Sequence, residues 1–364
     1  MARHGAACYI CAMRYRFALL AGLIVGGLVA YYFVWAHLAD QLQARLLGWI
    51  AAQQEQGRMV SYERIRLWGF PYRLSATLTN VQWQDPQSPA AWRLQADSIT
   101  AHLQLWDPQH VIFDIGGSQQ AGWTEAGPGG AILRRQAGLA TERVRASLVM
   151  DATGTWQRLA ADLTAPHLTG TADGWSAAHL LLHARRAGNV PPGTDLAIQA
   201  EALQLPAAAD GPLGRAVAEL KLVGTLRGPA YGGSPEEMLR TWREAGGILE
   251  LQTILLQWGA LRLEGDGSLA VDRQYRPLGA MAGRIYGAGS GIDALAAAGK
   301  MTAREAAAAK AAVTLLEQTD AERRRFLPVP LAAQDGRLSL GPVSLFSLPS
   351  VLPALPQPAP QTQP

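Results

Sequence analysis

The sequence predicts a mainly β protein, with an N-terminal transmembrane helix and stalk followed by a large curved antiparallel β-sheet domain containing two or three short helices. Three observations lead to this prediction: an uncharged apolar run near the N-terminus, repeated apolar and polar alternation after it, and only a few segments with helix start and stop signals. At 364 residues, the chain is long enough to bury a substantial core. The predicted divisions are a cytoplasmic N-terminus at 1–16, a transmembrane anchor at 17–36, an amphipathic stalk helix at 37–57, a periplasmic β-rich domain at 58–350 and a disordered Pro/Gln-rich tail at 351–364.

The anchor prediction depends on residues 17–36, which contain no charged side chain and match the length needed to cross a bilayer as a helix. Arg3, Arg14 and Arg16 precede this run. The positive-inside bias therefore places the N-terminus in the cytoplasm and the bulk of the chain in the periplasm, anchored by a single pass in the inner membrane. A cleaved signal peptide is the alternative, because "VWAHLA" offers small residues near a cleavage point, although a typical signal-peptide core is shorter.

Small residues recur every four positions along the anchor, at Ala18, Gly22, Gly26 and Ala30. Such a stripe lets two membrane helices approach closely, so it predicts packing against a second copy of the chain or another envelope protein. Small residues are also common in membrane helices that only tether a domain. Both interpretations stay open at this point.

Composition excludes several classes of partner and cofactor. The net charge is only +3 and the arginines are scattered, so we expect no nucleic-acid binding. Cys8 and Cys11 form the only cysteine pair, before the anchor, and no second ligand pair accompanies them. We expect two free thiols in a reducing compartment, no metal or other cofactor, and no disulfide in the exported domain.

The stalk pattern keeps its helical spacing until Gly57, and a bend follows at Gly69, Phe70 and Pro71. Proline removes a ladder donor and forces Phe70 into extended geometry, while glycine tolerates unusual dihedral angles. This combination suits a strand that turns a corner or lies at a sheet edge. We interpret the three residues as an architectural bend rather than a binding site.

Alternation then predicts a series of half-buried strands. The first strand is expected to place one set of apolar side chains on the buried face: Phe70, Tyr72, Leu74, Ala76 and Leu78. Similar patterns predict strands near 101–105, 143–150, 178–184, 196–205, 217–226, 248–258, 260–264, 268–272, 280–286 and 337–340. The sequences "EGDGS" and "QDGR" are predicted to be turns between strands.

Two segments carry helix signals. "SPEEMLRTWREAGG" has serine and proline at its start and glycine after its end. "TAREAAAAKAAVTLLEQ" places Thr302 and Glu305 at capping-box spacing. A shorter helix is predicted at residues 292–298, preceded by a glycine-rich turn, "GAGSG".

No motif identifies a reaction. His179 and His183 have a ligand-like spacing, but on a strand this spacing separates them by about 13 Å, too far for one metal ion. A nucleophile elbow, a P-loop and a dinucleotide fingerprint are all missing from the sequence. The exported tryptophans are expected mainly in the core, with the lining of a sugar or lipid groove as the alternative. We therefore predict no catalytic residues.

Several segments resemble one bacterial family. These are the "GFPYRL" bend after an anchored stalk, the run "WREAGGILELQTILLQWGALRLEGDGSLAVD", the segment "LGAMAGRIYGAGSGIDALAAAG" and the closing "FLPVPLAAQDGRLSLGPVSLFSLP". Their order resembles the family of Gram-negative proteins called domain of unknown function 2125, over most of the chain after Gly57. The resemblance implies an exported, membrane-anchored protein without an established activity. Similarity to AsmA-like envelope proteins, which have long curved sheets, rests on architecture alone.

The leading interpretation is a non-catalytic inner-membrane protein in envelope structure or lipid handling. Alternation reports that one sheet face avoids water, but this face can be a closed core or an open groove for acyl chains. A scaffold or binding module for an envelope protein or glycan is the second interpretation. A hydrolase with a dispersed site is the third.

Overall fold

The computed structural model describes residues 4–86, 91–126, 132–170, 174–188, 193–206, 211–229, 235–340 and 343–351. Within these ranges the chain is mainly β, which confirms the predicted fold class. The predicted disordered tail lies outside the described residues from position 352 onward. The helices are α1 (His4–Glu55), α2 (Pro235–Glu244), α3 (Ala288–Ala297) and α4 (Ala303–Leu316).

The strands follow α1 and alternate with the later helices. In the first half they are β1 (Met59–Ser61), β2 (Arg64–Trp68), β3 (Arg73–Asp85), β4 (Trp92–Gln104), β5 (Asp107–Ala126), β6 (Ile132–Ala140), β7 (Arg143–Met150), β8 (Trp156–Thr164), β9 (His167–Thr169) and β10 (His179–Ala187). In the second half they are β11 (Gly193–Gln204), β12 (Ala216–Arg227), β13 (Ile248–Trp258), β14 (Leu261–Val271), β15 (Pro277–Tyr286), β16 (Gln318–Thr319), β17 (Arg325–Gln334), β18 (Arg337–Leu340) and β19 (Val343–Ser347).

The strands form one long antiparallel sheet that does not close on itself. From β3 the paired order is β4, β5, β7, β8, β10, β11, β12, β13, β14, β15, β17, β18 and β19. The other side of β3 pairs with β1 and β2. The long strand β5 pairs with β7 over its first half and with β6 over its second half. Short connections between neighbours explain this mostly sequential order.

Helix α1 continues without a break from the apolar run into the predicted stalk. It is the one helix in the described part of the chain that is long and apolar enough to span a membrane. Ala39 and Ile50 are buried on its second half. The ring of Trp49 lies 5.8 Å from that of Trp83 on β3. The second half of α1 therefore packs against the first strands of the sheet.

The predicted first strand needs one correction. Leu74 and Ala76 are buried as expected, but Phe70 and Tyr72 are exposed and precede β3. Gly69 has a φ of 113°, a left-handed value that glycine accepts, so the chain turns before the alternation starts. The bend breaks the periodicity that appeared continuous in the sequence.

A second correction concerns "EGDGS", which is not a turn. These residues lie inside β14, and Gly265 and Gly267 pair with residues of both neighbouring strands. A Cβ at Gly265 would lie 2.7 Å from the carbonyl oxygen of Ala282. Glycine here permits close approach of two backbones, which explains a strand glycine without a turn. In contrast, "QDGR" does join β17 and β18, with Asp335 and Gly336 at positive φ.

The helices lie where their sequence signals predict them, except that α3 starts earlier, and Ser234, the predicted N-cap of α2, lies outside the described residues. The Thr302 hydroxyl accepts from the Glu305 backbone N–H, and the Glu305 carboxylate accepts from the Thr302 backbone N–H, so the capping box is confirmed. Helix α3 starts earlier than predicted, because Gly287 is its N-cap and the remaining "GAGSG" residues form its first turn. The predicted glycine-rich turn is therefore helical after Gly287, and Gly291 has a packing reason to be small: a Cβ there would lie 2.8 Å from the Leu261 side chain.

Candidate functional site

The most extensive feature of the sheet is an apolar face that crosses twelve paired strands, from β3 to β17. Residues directly opposite one another form three continuous rows, and every member is apolar or glycine. The first row comprises Leu78, Ile99, Ile115, Val144, Leu163, Leu180, Ala200, Leu220, Leu256, Leu263, Ile285 and Leu327. The middle row comprises Ala76, Ala101, Phe113, Ala146, Ala161, Leu182, Ile198, Leu222, Ile254, Gly265, Gly283 and Val329. The third comprises Leu74, Leu103, Val111, Leu148, Leu159, Ala184, Leu196, Gly224, Leu251, Gly267, Met281 and Leu331.

The centre of this apolar face is open to solvent. Leu159, Leu182 and Ile198 keep 42%, 37% and 38% of their surface exposed. They contribute to a cavity of about 470 Å³ that extends over β5, β7, β8, β10 and β11. Its other side chains include Phe113, Leu148 and Leu196. Large aliphatic side chains on neighbouring strands are normally buried by a second layer of secondary structure. A set of them that stays exposed therefore marks a binding surface.

The opposite face of the same strands is polar. A second cavity there is lined by apolar residues such as Val149 and Val223 and by a set of polar ones: His110, Ser147, Arg158, His183, Arg185 and Asp195. Ion pairs such as Arg185 with Asp195, at 2.7 Å, lie on this side. The sheet therefore separates a hydrated face from an apolar one, as antiparallel sheets commonly do.

The polar face carries a hydrogen-bonded chain of serine, histidine and aspartate that the sequence did not reveal. The Ser75 hydroxyl lies 2.8 Å from Nδ1 of His102, and Nε2 of His102 lies 3.1 Å from Oδ2 of Asp114. Nε of Arg145 donates to Oδ1 of Asp114 at 3.0 Å. The three members occupy adjacent strands, β3, β4 and β5, so only strand register brings them together.

Ser75, His102 and Asp114 are the residue types of a hydrolytic triad, but the serine hydroxyl is not accessible to a substrate. Ser75 has no exposed surface, and Gly69 of the bend covers it closely: a Cβ there would lie 3.2 Å from the hydroxyl oxygen. Burial, and then the charge of Arg73, lower the pKa of His102 below 6.5. The Arg145 hydrogen bond lowers the pKa of Asp114. Because a substrate carbonyl cannot approach Ser75, the geometry supports a structural network rather than catalysis.

The bend at Gly69, Phe70 and Pro71 contacts the far end of the apolar run of α1. The Phe70 ring lies 5.8 Å from Tyr31, 5.5 Å from Tyr32 and 5.8 Å from Trp35. The Tyr31 hydroxyl donates to the carbonyl oxygen of Pro71. The bend thus joins the sheet to the helix, a contact that no sequence pattern indicated.

The residues from the aromatic end of α1 to the last strand match one family model. The model for an uncharacterized protein conserved in bacteria (DUF2125) matches residues 35–349. The chain belongs to this family. No curated protein and no solved structure matches this DUF2125 chain. The family membership confirms the predicted resemblance and brings no activity with it.

The other predicted site residues of this DUF2125 protein stay separate. Gly22 and Gly26 lie on the exposed surface of α1, and a Cβ at either would meet nothing within 4 Å. Helix pairing through this stripe therefore stays a prediction. His179 bonds to Asp162 at 2.6 Å, and within the described residues no cluster of potential metal ligands is found.

The tryptophans divide between core and surface. Trp242 is buried and donates to the carbonyl oxygen of Arg227. Trp106 is 70% exposed in the turn between β4 and β5, so the expectation of core positions is wrong for this residue. The apolar cavity is lined mainly by aliphatic side chains, with Phe113 its single aromatic residue in the described part of the chain.

Proposed function

We propose that this protein is a membrane-anchored lipid-handling protein whose apolar sheet face receives acyl chains. The observation that carries the proposal is the set of three uninterrupted apolar rows, which remain exposed at Leu182 and Ile198. At about 4.8 Å between strands, rows across twelve strands extend for about 50 Å. One leaflet of the hydrocarbon core is about 15 Å thick, so an acyl chain fits easily within this length.

The contacts of the helices favour the interpretation of the apolar face as an open groove rather than as a closed core. In the described residues the main helix contacts join α1 to β1 and β3, α3 to β14 and α4 to β17, and α2 contacts the end of β12 through Trp242 and Arg227. None of these strands lines the cavity, which extends over β5, β7, β8, β10 and β11. An aliphatic surface with almost no polar group selects a ligand without directional hydrogen bonds, which is the chemistry of a hydrocarbon chain.

The shape of the middle row also favours an acyl chain. Three alanines, at positions 101, 146 and 161, surround Phe113 and precede the leucine and isoleucine at 182 and 198. These alanines, with longer side chains in the two flanking rows, leave room beside Phe113 on β4, β7 and β8. A bulky rigid ligand such as a glycan would require polar side chains that this face lacks in the described residues.

The proposed placement follows from α1. Residues 17–36 would cross the inner membrane once, with Arg3, Arg14 and Arg16 in the cytoplasm and the sheet in the periplasm. Anchoring keeps the apolar face beside a source of lipid. A reporter that is active only in the periplasm, fused after Gln357, should be active, and the mature chain should retain its first residues. A mature chain that starts near Asp40 would show a cleaved signal peptide instead.

The test uses two neighbouring residues that face opposite sides of β10. A photoreactive p-benzoyl-phenylalanine replaces Leu182 on the apolar face or His183 on the polar face in cells, followed by irradiation and mass spectrometry of the purified protein. We expect a phospholipid adduct at position 182 and none at 183. A polypeptide adduct at 182 would favour a binding module for an envelope protein, and equal lipid labelling at both positions would reject a face-specific groove.

A charge-matched pair of variants gives an independent readout. Leu182→Arg with Ile198→Arg places two charges on the apolar face, and His183→Arg with Gln199→Arg places two on the opposite face of the same strands. Native mass spectrometry of the detergent-extracted proteins should show at least a fivefold loss of bound phospholipid in the first variant. Equal retention in both variants would contradict the proposal.

A further inference from the structure

A group of exposed aromatic side chains surrounds the point where the sheet meets α1. Tyr72 is 77% exposed and Trp106 is 70% exposed, while Phe70 is 41% exposed despite its three ring contacts with the helix. Tyr72 precedes β3, and Trp106 lies in the turn that follows β4. Large aromatic side chains with this exposure are unusual outside interaction surfaces.

Strand register brings the two turns side by side. Arg73 pairs with Gln104, and Gln104 pairs with Asp107 across the turn that contains Trp106. Tyr72 and Trp106 are therefore neighbours at one end of the first three long strands. The rows of the apolar face begin at this end, with Leu74 and Leu103 in the row nearest the turns.

The position of α1 sets the depth of this end relative to a bilayer. Twenty apolar residues of helix span about 30 Å, so a membrane filled by residues 17–36 has its interface near the end of that run. Tyr31, Tyr32 and Trp35 lie there, and the same three side chains hold Phe70. The bend is therefore fixed at interface depth by direct contact with the anchor.

We propose that the Phe70–Tyr72 bend and the Trp106 turn form a second membrane contact, which inserts into the lipid interface and places the adjacent edge of the apolar face against the leaflet. Tyrosine and tryptophan favour this layer because an apolar ring and a polar group meet there. Within the described residues, the Tyr72 hydroxyl and the Trp106 indole N–H have no protein hydrogen-bond partner, so both are free to bind lipid headgroups.

The charge at this end agrees with a lipid partner. Arg73 is exposed, and its guanidinium carbon lies 4.8 Å from the centre of the Trp68 ring. Arg64 and Arg66 pair with Thr79 and Thr77, farther along β3 from the bend, so Arg73 is the arginine nearest the aromatic side chains. An arginine side chain beside an aromatic cluster suits the phosphate level of a bilayer.

The proposal rests on α1 as the anchor and deepens the proposed function, because it names where acyl chains would enter the groove. The test measures how deeply residues 72 and 106 lie in the lipid bilayer. Single cysteines replace Tyr72, Trp106 or Glu142 in a chain that carries Cys8→Ser and Cys11→Ser, and each is labelled with the environment-sensitive fluorophore NBD. Glu142 is exposed in the turn before β7, at the end of β7 that lies away from the Trp106 turn, and serves as the matched control.

The labelled full-length proteins are reconstituted into vesicles of phosphatidylethanolamine and phosphatidylglycerol, with or without lipids that carry a nitroxide on carbon 5 of the acyl chain. We expect at least twofold quenching at positions 72 and 106 and none at 142. Quenching at 106 no greater than at 142 would overturn the proposal.

The groove-blocked variant Leu182→Arg with Ile198→Arg separates this contact from lipid bound in the groove. Persistent quenching at 72 and 106 in that background supports a bilayer contact, whatever the outcome of the cross-linking at Leu182. Loss of quenching in that background would show that the signal came from lipid bound in the groove, and the membrane contact would be rejected.

Discussion

The indole N–H of Trp35 donates a hydrogen bond of 3.0 Å to the main-chain carbonyl oxygen of Arg73. This bond connects the end of the apolar run of α1 to the first residue of β3. Together with the rings around Phe70, it attaches the β domain directly to α1, so the chain connection through residue 57 is not the only link between them.

Removing the Phe70 ring should loosen this attachment. Each of the three aromatic pairs of Phe70 contributes about 0.5–1.5 kcal/mol, so Phe70→Ala should remove about 1.5–4.5 kcal/mol of contact free energy without unfolding the sheet. Spin labels at Gln43 on α1 and Glu201 on β11, in a chain without Cys8 and Cys11, should give a broader distance distribution. Phe326→Ala, which removes a ring on β17 that contacts Tyr286, is the control, and equal widths for the two variants would show that the bend does not fix the helix.

Burial of the apolar face near α1 can be tested by charge insertion. Leu74 is 4% exposed, so Leu74→Asp should lower the free energy of unfolding by about 3 kcal/mol or more, because a buried unpaired carboxylate loses its hydration. The exposed neighbour Arg73→Asp should cost far less. Urea denaturation followed by circular dichroism measures both, and similar midpoints would mean that the strand phase is wrong.

The half-buried side chain of His102 should make the free energy of unfolding depend on pH. The folded-state pKa of His102 lies below 6.5, mainly through burial, so the folded protein binds fewer protons than the unfolded chain in this range. Stability is therefore fully present above 6.5 and falls as the pH drops toward the folded pKa. Between about pH 8 and about pH 5.5, the free energy of unfolding should fall more for the unmodified protein than for His102→Gln.

This pH range distinguishes the titration of His102 from the titration of its partner Asp114. The pKa of Asp114 is lowered from 3.8, so its contribution is lost only below that value. Thermal unfolding of the two proteins at both pH values is the measurement. Equal losses of stability in the two proteins would show that the titration of His102 does not contribute to the pH dependence.

The capping box of α4 should make a measurable contribution to the free energy of unfolding. Thr302→Ala removes the hydroxyl that accepts the Glu305 N–H and should cost about 1 kcal/mol. Thr314→Ala, whose hydroxyl donates to the carbonyl oxygen of Lys310 within the same helix, is the matched control. Chemical denaturation should give a lower midpoint for Thr302→Ala only, and equal midpoints would contradict the cap contribution.

The stripe on α1 predicts helix association in the membrane. Gly22→Ile and Gly26→Ile should weaken self-association of residues 14–38 in a membrane two-hybrid assay, because bulky side chains prevent close backbone approach. Leu23→Ile lies off the stripe and should associate as the unmodified segment does. Association of the stripe variants at the level of this control would leave the anchor as a simple tether.

Much of the architecture follows from local sequence patterns. The apolar run of α1, the alternation in β7 and β10 and the capping box of α4 each depend on residues within a few positions of one another, so they are readable without tertiary information. Strand β17 was missed because Pro328 and Pro330 argue against a strand. In the structure β17 accommodates them because, at these two positions, the described residues include a pairing partner on the β15 side only.

Local sequence patterns are enough to predict a membrane-length helix, many half-buried antiparallel strands and apolar side chains on one face of each strand. Strand pairing and helix contacts, which these patterns do not contain, align the apolar faces into three continuous rows, leave Leu182 and Ile198 exposed and bring Phe70 against Tyr32. Alternation has a period of two along a single strand, so it reports which side chains avoid water. What lies opposite each of them depends on hydrogen-bond register between strands and on helix contacts that connect residues far apart in the chain.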